Sequence, residues 1–207
     1  MIASRPMPPA DLLESLWPAL RPAPDVRGWI GQEILSTTGR IHNIDHAHLL
    51  DADIQVMWAS SSFEKQGRIV LGQAEQVAFR AGGWQKARME QQMRDWFGDV
   101  PAFIITLAAD YCAECSDADF CALVEHELFH IAQELDQYGA PKFTKEGAPK
   151  LMLRGRDVSE FVAIVERYGV GAPDSDVARM VEAAKKPPSV SRASIASACG
   201  TCLLRAV

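Results

Sequence analysis

The sequence predicts an α+β fold: a small twisted mixed β-sheet, a long helix packed on it, and a following helix that closes a cleft. Three observations carry this expectation. Phe103-Ile104-Ile105-Thr106-Leu107 is a short continuous run rich in β-formers. A largely apolar stretch with helical spacing follows it, from about 119 to 137. Turn signals at Glu64-Lys65-Gln66-Gly67 and at Glu146-Gly147 mark hairpins on either side.

The elements follow in order. Residues 8–20 and 26–37 read as two short helices, with Leu12, Leu13, Leu16 and Trp17 at helical spacing and Pro22 to Pro24 between them. Residues 52–60 and 68–79 pair most simply as a hairpin about the first turn signal. Gly83 to Phe97 reads as a helix with Trp84, Met89, Met93 and Trp96 partly on one face. Asp117 or Asp119 caps the helix of 119–137, which stops before Gly139 and Pro141. Lys142 to Leu153 forms a second hairpin. Asp157-Val158-Ser159-Glu160 has the form of a capping box opening a helix to about Tyr168. A last helix near 174–185 ends before Pro187-Pro188, which leaves a domain over 1–186 and a C-terminal tail, 187–207.

Composition sets outer bounds. A chain of 207 residues, 48% hydrophobic and 23% charged, fits one ordinary globular domain with an appended tail. A net charge of -6 argues against a partner held by its phosphates, so no nucleic acid is expected. The start lacks the apolar core of a signal peptide, and no run reaches the roughly 18 apolar residues a membrane span needs. A cytoplasmic protein without a membrane partner is expected; the sequence does not specify an oligomeric state.

The chemistry is concentrated in His126-Glu127-Leu128-Phe129-His130. Residues four apart on a helix sit about 40° apart around the axis, so His126 and His130 can present imidazoles to one zinc ion. Glu127 projects beside them, placed to take a proton from a zinc-bound water and deliver it to a leaving amine. Cys121, Leu123, Val124 and Leu128 make the segment apolar, so the imidazoles need partners. His42, His46 and His48 are irregularly spaced and read as loop and core residues.

Two further motifs are Cys112-Ala113-Glu114-Cys115 and Cys199-Gly200-Thr201-Cys202. Each gap lets two thiolates grip one zinc, and together Cys112, Cys115, Cys199 and Cys202 would complete a second, structural all-cysteine site. Residues 116 to 198 lie between the pairs, far outside zinc-ribbon spacing, so independent thiols or a redox pair remain the alternative.

Over roughly 50–170 the chain resembles the phage metallopeptidases, a family similar in pattern to SprT-like zinc proteases. The resemblance rests on Arg68-Ile69-Val70-Leu71-Gly72, on Ala122 to His130, on Gly139-Ala140-Pro141-Lys142-Phe143, and on Arg154-Gly155-Arg156-Asp157-Val158-Ser159-Glu160-Phe161. It implies a zincin-like fold with an active-site helix and a following ligand helix, and peptidase activity on a peptide or protein substrate in a host cytoplasm. The family pattern has a histidine where this chain has Arg156, and no histidine follows His130. Glu160 is then the first choice for the third zinc ligand, giving the two-His-one-Glu set of gluzincins; Asp157 and an upstream histidine are the others. A positive Arg156 near the metal would weaken binding, so a catalytically degenerate zincin-fold phage protein with a binding or structural role is the alternative function. Substrate is expected to lie along an edge strand formed by Phe103 to Leu107.

Overall fold

The computed structural model describes residues 4–65, 67–158, 162–191, 193 and 199–204. At its centre is a four-stranded mixed sheet. Strand β1 (Leu20–Pro22) pairs antiparallel with β2 (Ile54–Ala59), whose other edge runs parallel to a later strand, Phe103–Ala108. Between these two in the chain lie a small hairpin, β3 (Phe63–Lys65) with β4 (Arg68–Val70), then β5 (Gly72–Gln76) and helix α3 (Gly83–Phe97). The parallel strand is therefore β6, and β5 pairs antiparallel with it, giving the order β1-β2-β6-β5.

Burial explains this order. Of the six residues of β6, all but Thr106 are buried, and Ile54, Val56, Met57 and Trp58 of β2 are buried too. Strands covered on both faces belong at the sheet's interior. The expected hairpin of 52–60 with 68–79 is accordingly not formed: the Gly67 turn closes only β3 on β4, and β2 takes β6 as its partner. Nor is Phe103 to Leu107 an edge. It has neighbours on both sides, and the edge strands are β1 and β5.

Of the N-terminal helices the first is shorter than expected and the second starts two residues earlier. Helix α1 covers only Ala10–Leu13, leaving Leu16 and Trp17 exposed, and α2 (Pro24–Trp29) starts on a proline before continuing as a π-helical turn, Ile30–Leu35. A 3-10 turn, Ile44–Leu49, follows. Helix α3 forms as expected and ends on Gly98, whose φ of 83° suits a left-handed cap, but none of its residues is buried and Trp84 is 89% exposed.

After β6 the chain makes a short helix, α4 (Ala109–Glu114), and then α5 (Asp117–Phe129). Its cap is Ser116, whose side chain accepts the Asp119 N–H, so neither Asp117 nor Asp119 is the cap residue. Phe120, Leu123, Val124 and Leu128 of α5 pack into the core, where the Phe120 ring lies 5.3 Å from Trp29 and 6.4 Å from Trp58. The helix stops eight residues before the expected end. Ile131–Gln133 instead becomes β7, paired with β8 (Leu151–Leu153), because the chain returns through turns at Gly139 and Gly147 to give its backbone a partner, and Ile131 is buried there. Helices α6 (Val162–Tyr168), α7 (Asp176–Ala184) and α8 (Gly200–Leu204) complete the described residues. No helix among them is long and apolar enough to cross a membrane.

Candidate metal centre

Helix α5 delivers the site in its last turn. His126 is helical, His130 is the C-cap, and the two rings stand 5.0 Å apart at 80°. The Arg154 carbonyl lies 2.8 Å from His130 Nδ1. That contact places the proton on Nδ1 and leaves Nε2 as a lone-pair donor, the usual way in which a ligating imidazole is oriented. Arg154 secures the same turn twice more: its N–H donates to the His130 carbonyl at 2.9 Å, and its Nε donates to the Phe129 carbonyl at 2.8 Å.

Two sulfurs from the C-terminal segment meet these nitrogens. Cys202 Sγ lies 3.4 Å from His126 Nε2 and 3.2 Å from His130 Nε2, and Cys199 Sγ lies 3.2 Å from His130 Nε2. The donor atoms of His126, His130, Cys199 and Cys202 all fall within 4.8 Å of one another. Zinc bonds of about 2.0–2.3 Å at tetrahedral angles separate neighbouring donors by roughly 3.3–3.8 Å; the three N–S contacts of 3.2–3.4 Å stand near that spacing, and two imidazoles with two cysteine sulfurs suit zinc in their chemistry.

Charge is divided unequally across the group. Contact with the Cys199 sulfur, and then with His126 and His130, holds the Cys202 thiol well below its ordinary range, while the Cys199 thiol is pushed up. Arg156 supports the Cys202 thiolate with an Nε–H···S bond of 2.8 Å. Burial works against a charged His130, yet the Cys202 sulfur and the Arg154 carbonyl outweigh it and raise its pKa.

Glu127 lies beneath these four side chains, fully buried. Its Oε2 accepts from Cys199 Sγ at 3.5 Å, whereas Oε1 has no hydrogen-bond partner in the protein. Burial raises its pKa above the ordinary carboxylate value. Space for this carboxylate comes from Gly72 on β5: a Cβ there would stand 2.9 Å from Glu127 Oε1 and 3.0 Å from Leu123 Cδ1. A cleft of about 410 Å³ opens beside the two histidines, lined by His126, Phe129, His130, Arg154, Arg156 and Met180 among others.

A family model described as "Putative phage metallopeptidase" matches residues 27–185. The chain belongs to this family. No curated protein and no solved structure is significantly similar to it. The phage metallopeptidase match takes in His126, Glu127 and His130 and ends before Cys199 and Cys202, so the two halves of the donor set lie on either side of its boundary.

The remaining expectations divide. Glu160 lies outside the described residues. Asp157 is engaged by the Arg154 guanidinium at 2.7 Å, beside the cleft and outside the donor group. The four-cysteine site is not assembled: Cys112 and Cys115 sit with Arg5, whose guanidinium donates to the Cys112 carbonyl and to Cys115 Sγ, while the other pair joins the two histidines. Spacing identified both pairs as ligand-like, but partner choice was set by the sheet, which brings Cys199 beside Gly72.

His42 and His48 hydrogen-bond to the carbonyls of Ile34 and Ile131, and His46 is buried against Phe129, as loop and core roles require. Glu134, no longer on a helix, is held by Lys142 at 2.6 Å and Lys150 at 2.8 Å. Gly72 and Arg154 are the site residues that sequence reasoning missed; neither carries a local signal of its role.

Proposed function

We propose that this chain is a zinc-dependent peptidase of the zincin type, in which His126 and His130 hold the ion and Glu127 is the general base. The observation that supports this reading most is the pairing of two convergent imidazole nitrogens with a fully buried carboxylate whose Oε1 lacks a protein partner. A buried acid left half-satisfied costs free energy, and such groups concentrate where a reaction uses them. Zinc bound by these ligands supplies Lewis acidity, which acidifies water near neutral pH and polarises a carbonyl.

The chain's own residues account for the rest. Glu127, its pKa raised by burial, is suited to accept a proton at its carboxylate, whose Oε2 faces the donor group, and to return it to the departing amine. Arg154 fixes the His130 tautomer, and edge strand β5, whose Gly72 lies against Glu127, offers backbone groups to align an extended peptide. The substrate is a peptide or protein, and the setting is a phage or prophage product working in a host cytoplasm.

A second reading, a zincin-fold binding or structural protein without hydrolysis, is favoured by the two sulfurs that stand where water and substrate would otherwise reach the ion. Glu127→Gln separates the two. In the wild type or the Cys199→Ser/Cys202→Ser background, whichever cleaves a peptide library faster, it should lose about 10²–10⁴-fold in rate with zinc content unchanged. Unchanged cleavage rejects Glu127 as the base. Equal zinc in the wild type and in His126→Ala/His130→Ala rejects the metal assignment.

A further inference from the structure

The segment Cys199 to Cys202 does more than lie near the ligands. Cys199 bridges Gly72 in parallel fashion along the outer edge of β5. Thr201 Oγ1 then accepts the Ala74 N–H at 2.8 Å and donates to the Ala74 carbonyl at 2.7 Å, so one hydroxyl satisfies both edge groups of that residue. Cys199 and Thr201 are buried, and Gly200 between them passes so close that a Cβ would meet Gln73 Oε1 at 2.5 Å and Val70 Cγ1 at 2.9 Å. The backbone groups engaged are those an extended peptide substrate would need. At the same time Cys199 and Cys202 bring the donor count at His126 and His130 to four.

We propose that residues 199–202 are a built-in plug: the segment occupies the substrate edge of β5, and its two cysteine sulfurs fill the metal positions that catalysis needs open. This rests on the zinc-peptidase reading. Four protein ligands make a closed zinc site, and catalytic sites keep one position free. A closed site with a purely structural role has no use for Glu127, which stays buried beneath the cysteines with one oxygen unpartnered. Latency accounts for both facts, since the carboxylate is kept ready while the sulfurs exclude water and substrate. Arg156 stabilises the plugged state by hydrogen-bonding Cys202 Sγ, and the Cys202 N–H does the same for Cys199 Sγ at 3.4 Å. Activation is departure of the segment from β5, which frees both coordination positions and the edge together.

Cobalt(II) in place of zinc, in the full chain, reads the sulfurs directly. The wild type should show thiolate-to-cobalt charge-transfer absorption that falls to about half in Cys199→Ser or Cys202→Ser, because each sulfur supplies one bond. It should vanish in the double variant and persist in Cys112→Ser/Cys115→Ser. With zinc bound, the double variant should cleave a peptide library about tenfold or more faster than the wild type, since rate follows the competent fraction. Thr201→Val keeps both sulfurs and removes only the Ala74 pairing, so it should raise cleavage as well, and it tests the edge contact should the double variant fold poorly.

Cobalt bound through His126 and His130 without a thiolate band would overturn the plug and leave the peptidase reading standing. So would a metal-loaded double variant, folded like the wild type, that cleaves no faster. Cobalt binding equal in the wild type and in His126→Ala/His130→Ala would instead bring down the metal assignment beneath both.

Discussion

His46 makes the protein's stability depend on pH in a calculable way. Its side chain is wholly buried on the 3-10 turn, its ring centroid is 4.4 Å from that of Phe129, and neither ring nitrogen has a hydrogen-bond partner. Burial, then the neighbouring His48, lower its pKa from 6.5 to about 4; Asp45 opposes them and Arg154 adds to them. The Glu125 carboxylate 3.7 Å away is itself occupied by the Asn43 amide. In the folded protein His46 therefore stays neutral down to about pH 4, whereas in the unfolded chain it protonates near 6.5. Across that window the unfolded state binds more protons, so stability falls as pH drops, by roughly 3 kcal/mol when pH reaches the folded value. That is a large share of the roughly 5–15 kcal/mol that holds a typical domain. His46→Leu keeps the apolar contact and cannot titrate. Urea unfolding of both proteins between pH 7 and 4 should show the variant gaining on the wild type steadily below about pH 6.5. Stability curves that stay parallel would refute the reasoning, since His46 would then be protonating in the folded state at its ordinary pKa.

Gly72→Ala should lower peptide cleavage by about 10²-fold while zinc content is retained, because the new methyl must displace the Glu127 carboxylate 2.9 Å away; equal rates would show that Glu127 does not depend on this close approach. Ser116→Ala removes the N-cap of α5 and should cost about 0.5–2 kcal/mol in urea unfolding. Its zinc affinity should not change, since His126 and His130 sit at the opposite end of the helix; a large loss of affinity would contradict that separation.

What could be read from the sequence was local. The i, i+4 histidines, the apolar run of β6, the α3 helix and the hairpin turns are all set by neighbours in the chain, and they stand near where patterning put them. The misreadings share a cause. Ile131-Ala132-Gln133 continues a helical pattern as readily as it forms a strand, and what decides is Leu151 to Leu153 on the returning strand. Whether Phe103 to Leu107 is an edge or a centre depends on β5 pairing with it, which no property of the run itself reveals. Cysteine spacing announced ligand pairs, but the partners of Cys199 and Cys202 lie some seventy residues upstream in α5, where only the completed sheet could bring them.

With His126 and His130 as the proposed nitrogen ligands, ending α5 at Phe129 puts both of them on one helical turn. His126 and His130 belong to that final turn, and Arg154 pins the Phe129 and His130 carbonyls as well as the second imidazole. Helix ends open and close far more often than whole domains unfold. Here the same opening would move both nitrogen donors at once while the sulfurs of Cys199 and Cys202 stay with β5, so on the proposed metal assignment terminal fraying loosens half of the donor set, and a filled site holds the frayed turn shut in return.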